Sequence, residues 1–147
     1  LITTVNGIAF AKKIPLYGVD GLSSFLHEVS DSQSFPVIIQ NAFAGDIYFA
    51  FKDQAHTIQT GWNKAELFFE KIKQSYPRET FIFIGNGVPL HKETITDYFE
   101  KQASLDTSKE CVNLETIAER TLKEFKEETT SLFHLSPLYL KTVTYKK

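Results

Sequence analysis

Two short apolar runs stand close together in the first third of the chain. They are Val37–Ile39 and Ile47–Phe51, and Ala44–Asp46 lies between them. Runs this short, rich in β-branched and aromatic residues and flanked by proline and glycine, are typical of strands. A glycine-containing connection between two strands favours a hairpin. We therefore expect Phe35–Asp53 to found the sheet around which the rest of the chain is arranged.

The pattern after the hairpin alternates between strands and helices. The first predicted elements are an edge strand His56–Thr60, a turn at Gly61-Trp62 and a helix Lys64–Tyr76, which a capping box of Asn63 and Glu66 would start. A central strand Phe81–Ile84, a turn Gly85–Gly87 and a helix near Lys92–Gln102 follow. The last elements are a short strand at Cys111-Val112, a helix Asn113–Glu128 and an extended segment Pro137–Leu140. This order, βββαβα(β)α, is that of an RNase-H-like, actin-like unit of the α/β class.

Two helices and a strand are predicted before the hairpin. They are a helix Leu1–Lys13, a short strand Leu16–Val19 and a helix Gly21–Val29 with Asp20 as its N-cap. Ser30–Ser34 is a polar linker, and we place a domain boundary there. Residues 1–34 would then be the C-terminal part of a first actin-like domain, and residues 35–147 a second, RNase-H-like domain.

The first predicted helix carries more apolar surface than one buried face requires. Gly7 lowers helix propensity by ~1 kcal/mol relative to alanine, which indicates that another element packs closely there. The candidate interface residues are Ile2, Val5, Gly7, Ile8, Ala9 and Phe10. Which of them point outward is left open, and Gly7 could instead serve packing within the chain.

Composition limits the classes of function. The 147 residues are 42% apolar and 23% charged, with 13 Phe and a formal net charge of −2, so no global field favours nucleic acid or an anionic membrane. No apolar run approaches the roughly 20 residues that span a bilayer. The one cysteine, Cys111, cannot form an intrachain disulfide, which favours a reducing, cytoplasmic location.

The start of the chain is unusual for a complete protein. There is no methionine at any position, and the chain opens within a helical pattern without a basic, signal-like start. We expect an internal fragment of a longer protein, with a processed N-terminus as the alternative.

Motifs for catalysis or metal binding are largely missing. The four histidines, His27, His56, His91 and His134, are not spaced for a shared metal ion on one helix, and no HExxH or GxSxG motif is present. Cys111 is predicted to be a small buried residue rather than a catalytic thiol. The Gly85-Asn86-Gly87 turn after a strand could approach a phosphate with its backbone, but a plain turn is favoured. The residues alone therefore predict a soluble α/β chain without a visible catalytic centre.

Four segments in series resemble the TsaB (YeaZ) family. Thr3–Phe25 resembles its G-L-A helix followed by I-P-hydrophobic-x-G-V and S-L-x-A-L, and Gly45–Asp53 resembles its G-E-V-Y-A-A hairpin. Phe83–Val88 resembles its strand ending in a G-x-G turn, and Ser136–Lys141 its closing P-x-Y-L-R, with lysine in place of the final arginine. The stretch 41–44 also departs from the family, which usually has an Asp-Ala-Arg-like sequence there.

The resemblance implies a non-catalytic subunit of the bacterial machinery for threonylcarbamoyladenosine, made on the tRNA adenosine beside the anticodon. The implied partners are a TsaD-like catalytic paralogue and a TsaE-like ATPase, with tRNA bound only through the complex. In the family, the helix equivalent to Leu1–Lys13 helps to build a helix bundle with TsaD. The resemblance implies no cofactor for this chain, although ATP could bind the full complex, and it leaves a homodimer possible when the chain is alone.

Two related interpretations remain to be separated. TsaD itself has a His-x-x-x-His metal pair and a glycine-rich S-G-G-H-T strand, whereas Asp20–Val29 has only His27 and the strand here is VIIQNAFAGD. The alternative is an enzyme, namely an actin-like ATPase or kinase or a glycoprotease-type hydrolase, whose catalytic loops would lie in a part of the protein before Leu1.

Overall fold

A computed structural model describes residues 2–29, 34–127 and 134–141 of the chain. Five helices and five strands form in the described part: α1 Ile2–Lys12, α2 Gly21–Glu28, β1 Phe35–Asn41, β2 Asp46–Lys52, β3 Ile58–Lys64, α3 Ala65–Ser75, β4 Phe81–Ile84, α4 Lys92–Phe99, β5 Ala103–Asp106 and α5 Leu114–Glu127. From β1 onward the order is βββαβαβα, which confirms the predicted order.

The five strands form one mixed sheet in the order β3-β2-β1-β4-β5. The hairpin is antiparallel with Ile39 opposite Phe49, and β3 continues it with Thr60 opposite Ala50. β4 and β5 are parallel to β1 and to each other. The apolar strand β4 is therefore central, as its continuous hydrophobic sequence predicts.

Helices cover both faces of this sheet. On one face, α3 and α4 bury a phenylalanine-rich cluster that includes Phe68, Phe69, Phe81, Phe83 and Phe99. Phe83 and Phe99 have ring centroids 5.0 Å apart, a distance typical of aromatic packing. On the other face, Phe25 and Leu26 of α2 pack against Ile38, Ala50 and Ile84.

The start of α2 follows the prediction. Asp20 Oδ1 accepts a hydrogen bond from the Leu22 N–H at 3.0 Å, which is an N-cap contact. The polar linker at 30–33 lies outside the described residues, and the division at residue 34 stays a prediction. Within the described chain, α2 shares a hydrophobic cluster with the sheet.

Two predictions around β3 are wrong. Gly61 and Trp62 do not form a turn, because β3 runs through them to Lys64. The predicted capping box is also absent, since α3 begins at Ala65 after Lys64 and has no side-chain cap. Asn63 Oδ1 instead accepts a hydrogen bond from the Lys64 N–H at 2.8 Å.

Three predicted extended segments also need correction. The fifth strand is Ala103–Asp106 rather than Cys111-Val112, and Cys111 is exposed rather than buried. Leu16–Val19 has only an isolated bridge at Leu16, and residues 137–140 have no regular secondary structure. In each case, a few apolar residues suggested a strand, but among the described residues none of these segments forms a continuous ladder with a neighbouring strand.

The stripe predicted for α5 is only partly buried. Ile117 and Thr121 are half-buried, whereas Leu114, Leu122 and Phe125 are exposed. α5 is held at its start by Glu28 of α2, which accepts hydrogen bonds from Asn113 and Thr116. None of the described helices is long and apolar enough to cross a membrane.

Candidate functional site

The surface of α1 is the first candidate site, and most of the predicted interface residues are accessible on it. Phe10 is 81% exposed and Ile8 is 56% exposed, while Ile2 and Val5 are just over one-third exposed. Gly7 is also exposed, and a Cβ atom built on it would meet nothing within 4 Å. Ala9 differs from the others because it is only 1% exposed, so it packs within the chain rather than on an open surface.

One polar side chain holds α1 against the end of the described chain. The Asn6 Nδ2 donates to Leu135 O at 2.8 Å, and Asn6 Oδ1 accepts from the Leu135 N–H at 2.9 Å. These two hydrogen bonds satisfy both the backbone N–H and the backbone carbonyl of Leu135, which lies 129 positions from Asn6 in the sequence. Leu135 also lies close to Gly18, because a Cβ on Gly18 would stand 3.2 Å from Leu135 Cδ2. This contact was not predicted from the sequence, although an asparagine in a mainly apolar helix indicates a specific hydrogen-bond partner.

The orientation of α1 follows from these contacts. Asn6 and Ala9 face the rest of the described chain, so the opposite side of the helix carries Thr4, Gly7 and Ala11, which are spaced three and four residues apart and are all exposed. Ile8 and Phe10 flank this row of small residues on either side. The outward side of α1 therefore combines a shallow centre with apolar shoulders.

The Gly85–Gly87 turn is the second candidate site, and it packs against the end of β1. The Gly87 N–H donates to Ile39 O at 3.1 Å, and Asn86 Oδ1 accepts from the Asn41 N–H at 2.8 Å. Gly85 has a φ of 121°, and a Cβ there would lie 2.3 Å from Ile39 O. Glycine is required at positions 85 and 87 because two backbone segments approach closely there. The Gly87 N–H, which a phosphate would need, is already used in the hydrogen bond to Ile39 O.

The connection between β1 and β2 lies beside this turn and has unusual backbone angles. Phe43, Ala44 and Gly45 have φ values of 61°, 55° and 79°, so two non-glycine residues adopt the left-handed region in succession. The Phe43 N–H donates to Asn41 Oδ1 at 2.8 Å, and this contact supports the first of them. The Phe43 side chain is 76% exposed at the tip of the hairpin.

Lys141 ties the last described segment to the same hairpin. Its Nζ is 2.7 Å from the Asp46 carboxylate and donates to Ala42 O at 3.0 Å. The same Nζ lies 5.7 Å from the centre of the Trp62 ring, within the range of a cation–π contact. Lys141 is therefore engaged by an ion pair, a hydrogen bond and a cation–π contact within the described chain.

Glu28, Glu124 and His91 have pKa values that are shifted by burial or hydrogen bonding. Burial raises the pKa of Glu28, but hydrogen bonds from Asn113, Lys109 and Thr116 outweigh it, so the pKa is lowered overall. Hydrogen bonding from Arg120 lowers the pKa of Glu124. Burial lowers the pKa of His91, which favours its neutral form. In the described ranges, no three His, Cys, Asp or Glu side chains are grouped to hold a metal ion.

Comparison with known proteins identifies the fold. No protein-family model matches the chain, and no curated protein matches it. The structure is similar to a crystal structure described as an uncharacterized protein with similarity to peptidase YeaZ from Pseudomonas aeruginosa, with a TM-score of 0.66. The match covers 95% of this chain at 17% sequence identity, and this chain spans 65% of the length of that chain. The α/β fold is thus YeaZ-like, which agrees with the predicted RNase-H-like, actin-like architecture.

Proposed function

We propose that the protein is a non-catalytic scaffold subunit of the complex that makes threonylcarbamoyladenosine on tRNA, and that it binds a TsaD-like catalytic paralogue. A TsaE-like ATPase would complete the complex, and tRNA would be bound through the assembly. The YeaZ-like fold supports this proposal, as does the resemblance of four sequence segments to the TsaB family.

The accessible surface of α1 is the observation that carries the proposal. Large apolar side chains that lie exposed together on one element commonly mark an interaction surface. In α1, the chain itself buries Ala9, but it leaves Ile8 and Phe10 largely exposed. A partner helix could approach closely over Gly7, because no atom of the described residues lies within 4 Å of the position of its Cβ. This surface therefore suits the helix bundle that the family forms with TsaD.

Replacing Gly7 with leucine tests the surface. Gly7→Leu would fill the shallow centre of α1 without a clash inside the chain, since the added Cβ meets no atom within 4 Å. We expect affinity for the paralogue to fall by at least about tenfold, as overpacking at an interface commonly costs 1–3 kcal/mol. Calorimetric titration of the whole protein with its own organism's TsaD-like protein measures this.

Gly21→Leu is the matched control for that experiment. Gly21 also lies in a helix with open space at its Cβ position, but on α2 rather than α1. We expect this variant to bind the paralogue like the unchanged protein. Equal affinity of the Gly7 and Gly21 variants would remove α1 from the interface.

Reconstitution tests the function itself. With purified TsaD-like and TsaE-like proteins, modification of tRNA should require the whole protein, and the protein alone should not modify tRNA. A thermal-shift titration with ATP and Mg²⁺ addresses the enzyme alternative. Saturable binding with ATP turnover by the protein alone, and modification that proceeds without it, would favour an actin-like ATPase or kinase.

A further inference from the structure

A cavity of about 480 Å³ lies where α2 begins, beside the ends of β1 and β2 and under the last described segment. Its walls are formed by α2, the sheet, the loop before α5 and the segment 138–141. The lining residues include Leu22, Gln40, Tyr48, Cys111, Leu138 and Lys141. Its volume is within the range of small-molecule sites, roughly 300–1,000 Å³.

The sheet contributes the Tyr48 ring and the Gln40 side chain to the lining of this cavity. Gln40 of β1 is directly opposite Tyr48 of β2. Side chains at paired positions stand on the same face of a sheet, so both lie on the α2 side. The packing of α2 lies further along the sheet, over Ile38 and Ala50. Gln40 and Tyr48 therefore line the cavity rather than pack under the helix.

The other walls are mainly apolar. Leu22 projects from the first turn of α2, and Val112 comes from the loop before α5. Leu138 belongs to the lining segment 138–141 and is 68% exposed. A cavity lined by the Tyr48 ring and by aliphatic side chains suits a flat ring packed against Tyr48.

The charges at the cavity disfavour an anionic ligand. The Asp20 carboxylate already occupies the N-terminus of α2, where a phosphate would otherwise bind, through its contact with the Leu22 N–H. Lys141 is neutralised by Asp46 at 2.7 Å. A phosphate group would meet one carboxylate and no free cation among these residues, and Coulomb repulsion would oppose its binding.

We propose that this cavity binds a small, uncharged compound with a fused aromatic ring, packed against Tyr48 and the lining leucines. The site is separate from the α1 surface, so this proposal goes beyond the scaffold role and is tested independently of it. It shares only Gln40 with the surroundings of the Gly85–Gly87 turn, where a Cβ on Gly85 would lie 3.0 Å from Gln40 Nε2.

The single cysteine gives a direct measurement of occupancy. Cys111 lines the cavity and is exposed, so a small neutral reagent such as iodoacetamide can alkylate it. The probes are 2-naphthol and naphthalene-2-sulfonate, which share one ring system but differ in charge. We expect saturable protection of Cys111 by 2-naphthol and little protection by the sulfonate, with the alkylation rate followed by mass spectrometry of the whole protein.

Three variants locate the protection. Tyr48→Ala should weaken 2-naphthol binding by about tenfold, because a buried ring contact is lost. Leu138→Ala should weaken it by a smaller factor and, being at an exposed position, should leave the fold unchanged. Leu67→Ala, on the exposed side of α3, should not change it. Absence of protection, equal protection by both probes, or protection unchanged in both cavity variants would overturn the proposal.

Discussion

Single residues decide where two backbone segments can touch in this fold. Gly85 is the clearest case, because its φ of 121° is unfavourable for any other residue and its missing Cβ makes room for Ile39 O. We expect Gly85→Ala to lower the free energy of unfolding by about 3 kcal/mol, through combined backbone strain and overlap. Urea titration followed by circular dichroism measures the change.

The control for Gly85 is another glycine. Gly21→Ala adds the same methyl group where nothing lies within 4 Å, and alanine favours helix by ~1 kcal/mol relative to glycine. Its urea midpoint should match or exceed that of the unchanged protein. A Gly85→Ala midpoint equal to that of Gly21→Ala would show that the close approach to β1 is not required.

Glu28 is a second residue whose role is local and measurable. Its carboxylate accepts hydrogen bonds from the Asn113 N–H at 2.8 Å and from Lys109 Nζ at 3.1 Å, and its side chain is only 9% exposed. We expect Glu28→Gln to lower the free energy of unfolding at pH 7 by about 2 kcal/mol, as is typical for hydrogen bonds to a charged group.

The pH dependence of this loss has a defined sign. Because the folded-state pKa of Glu28 is lowered from its ordinary value of 4.5, its stabilisation is complete above pH 4.5 and is lost as the pH falls through the folded-state pKa. The difference between Glu28→Gln and the unchanged protein should therefore shrink on acidification. Glu70→Gln, at an exposed position of α3, serves as the control. A stability difference between Glu28→Gln and the unchanged protein that stays constant from pH 7 to low pH would contradict this role of Glu28.

At the scale of elements, the hairpin connection stores backbone strain. Ala44 has a φ of 55°, which costs an alanine ~1–2 kcal/mol, whereas glycine adopts it freely. The greater freedom of glycine in the unfolded chain offsets part of the gain, by ~0.4–1 kcal/mol. We expect Ala44→Gly to raise the free energy of unfolding by about 0.5 kcal/mol.

A second alanine in a turn provides the comparison. Ala55 is exposed between β2 and β3 and is not among the residues with positive φ, so Ala55→Gly should lower stability by ~0.5–1 kcal/mol. If Ala44→Gly raises the melting temperature and Ala55→Gly lowers it in parallel thermal melts, the backbone strain at Ala44 is supported. A loss of stability in both would contradict it.

The elements show which patterns were predictable from sequence. The hairpin and the central strand β4 were predictable from short, continuous apolar runs next to turn residues, and the helices from apolar residues repeating every 3.6 positions. Gly61-Trp62 misled the prediction because glycine commonly marks a turn, whereas here the Phe49 ring covers the glycine, with Phe49 Cζ 2.9 Å from where its Cβ would be. β5 was missed because Ala103–Asp106 has little apolar character and is a strand only through its pairing with β4.

At the scale of the whole molecule, the candidate sites were only partly predictable. The excess of apolar residues in α1 was visible in the sequence. Which side of α1 faces inward depends on the contact between Asn6 and Leu135, and these two residues are far apart in the sequence. The cavity beside Tyr48 was not foreseen, because its walls come from five separate parts of the chain. Residues that meet only through the tertiary fold leave no local pattern.

We propose that the whole protein works as a scaffold for a TsaD-like paralogue. The most direct test is to mix the purified whole protein with its own organism's TsaD-like protein and to measure the mass of the eluting species by light scattering on a sizing column. We expect a stable complex whose mass is that of a heterodimer or a multiple of it. Separate elution of the two proteins at concentrations well above micromolar would rule out the scaffold role.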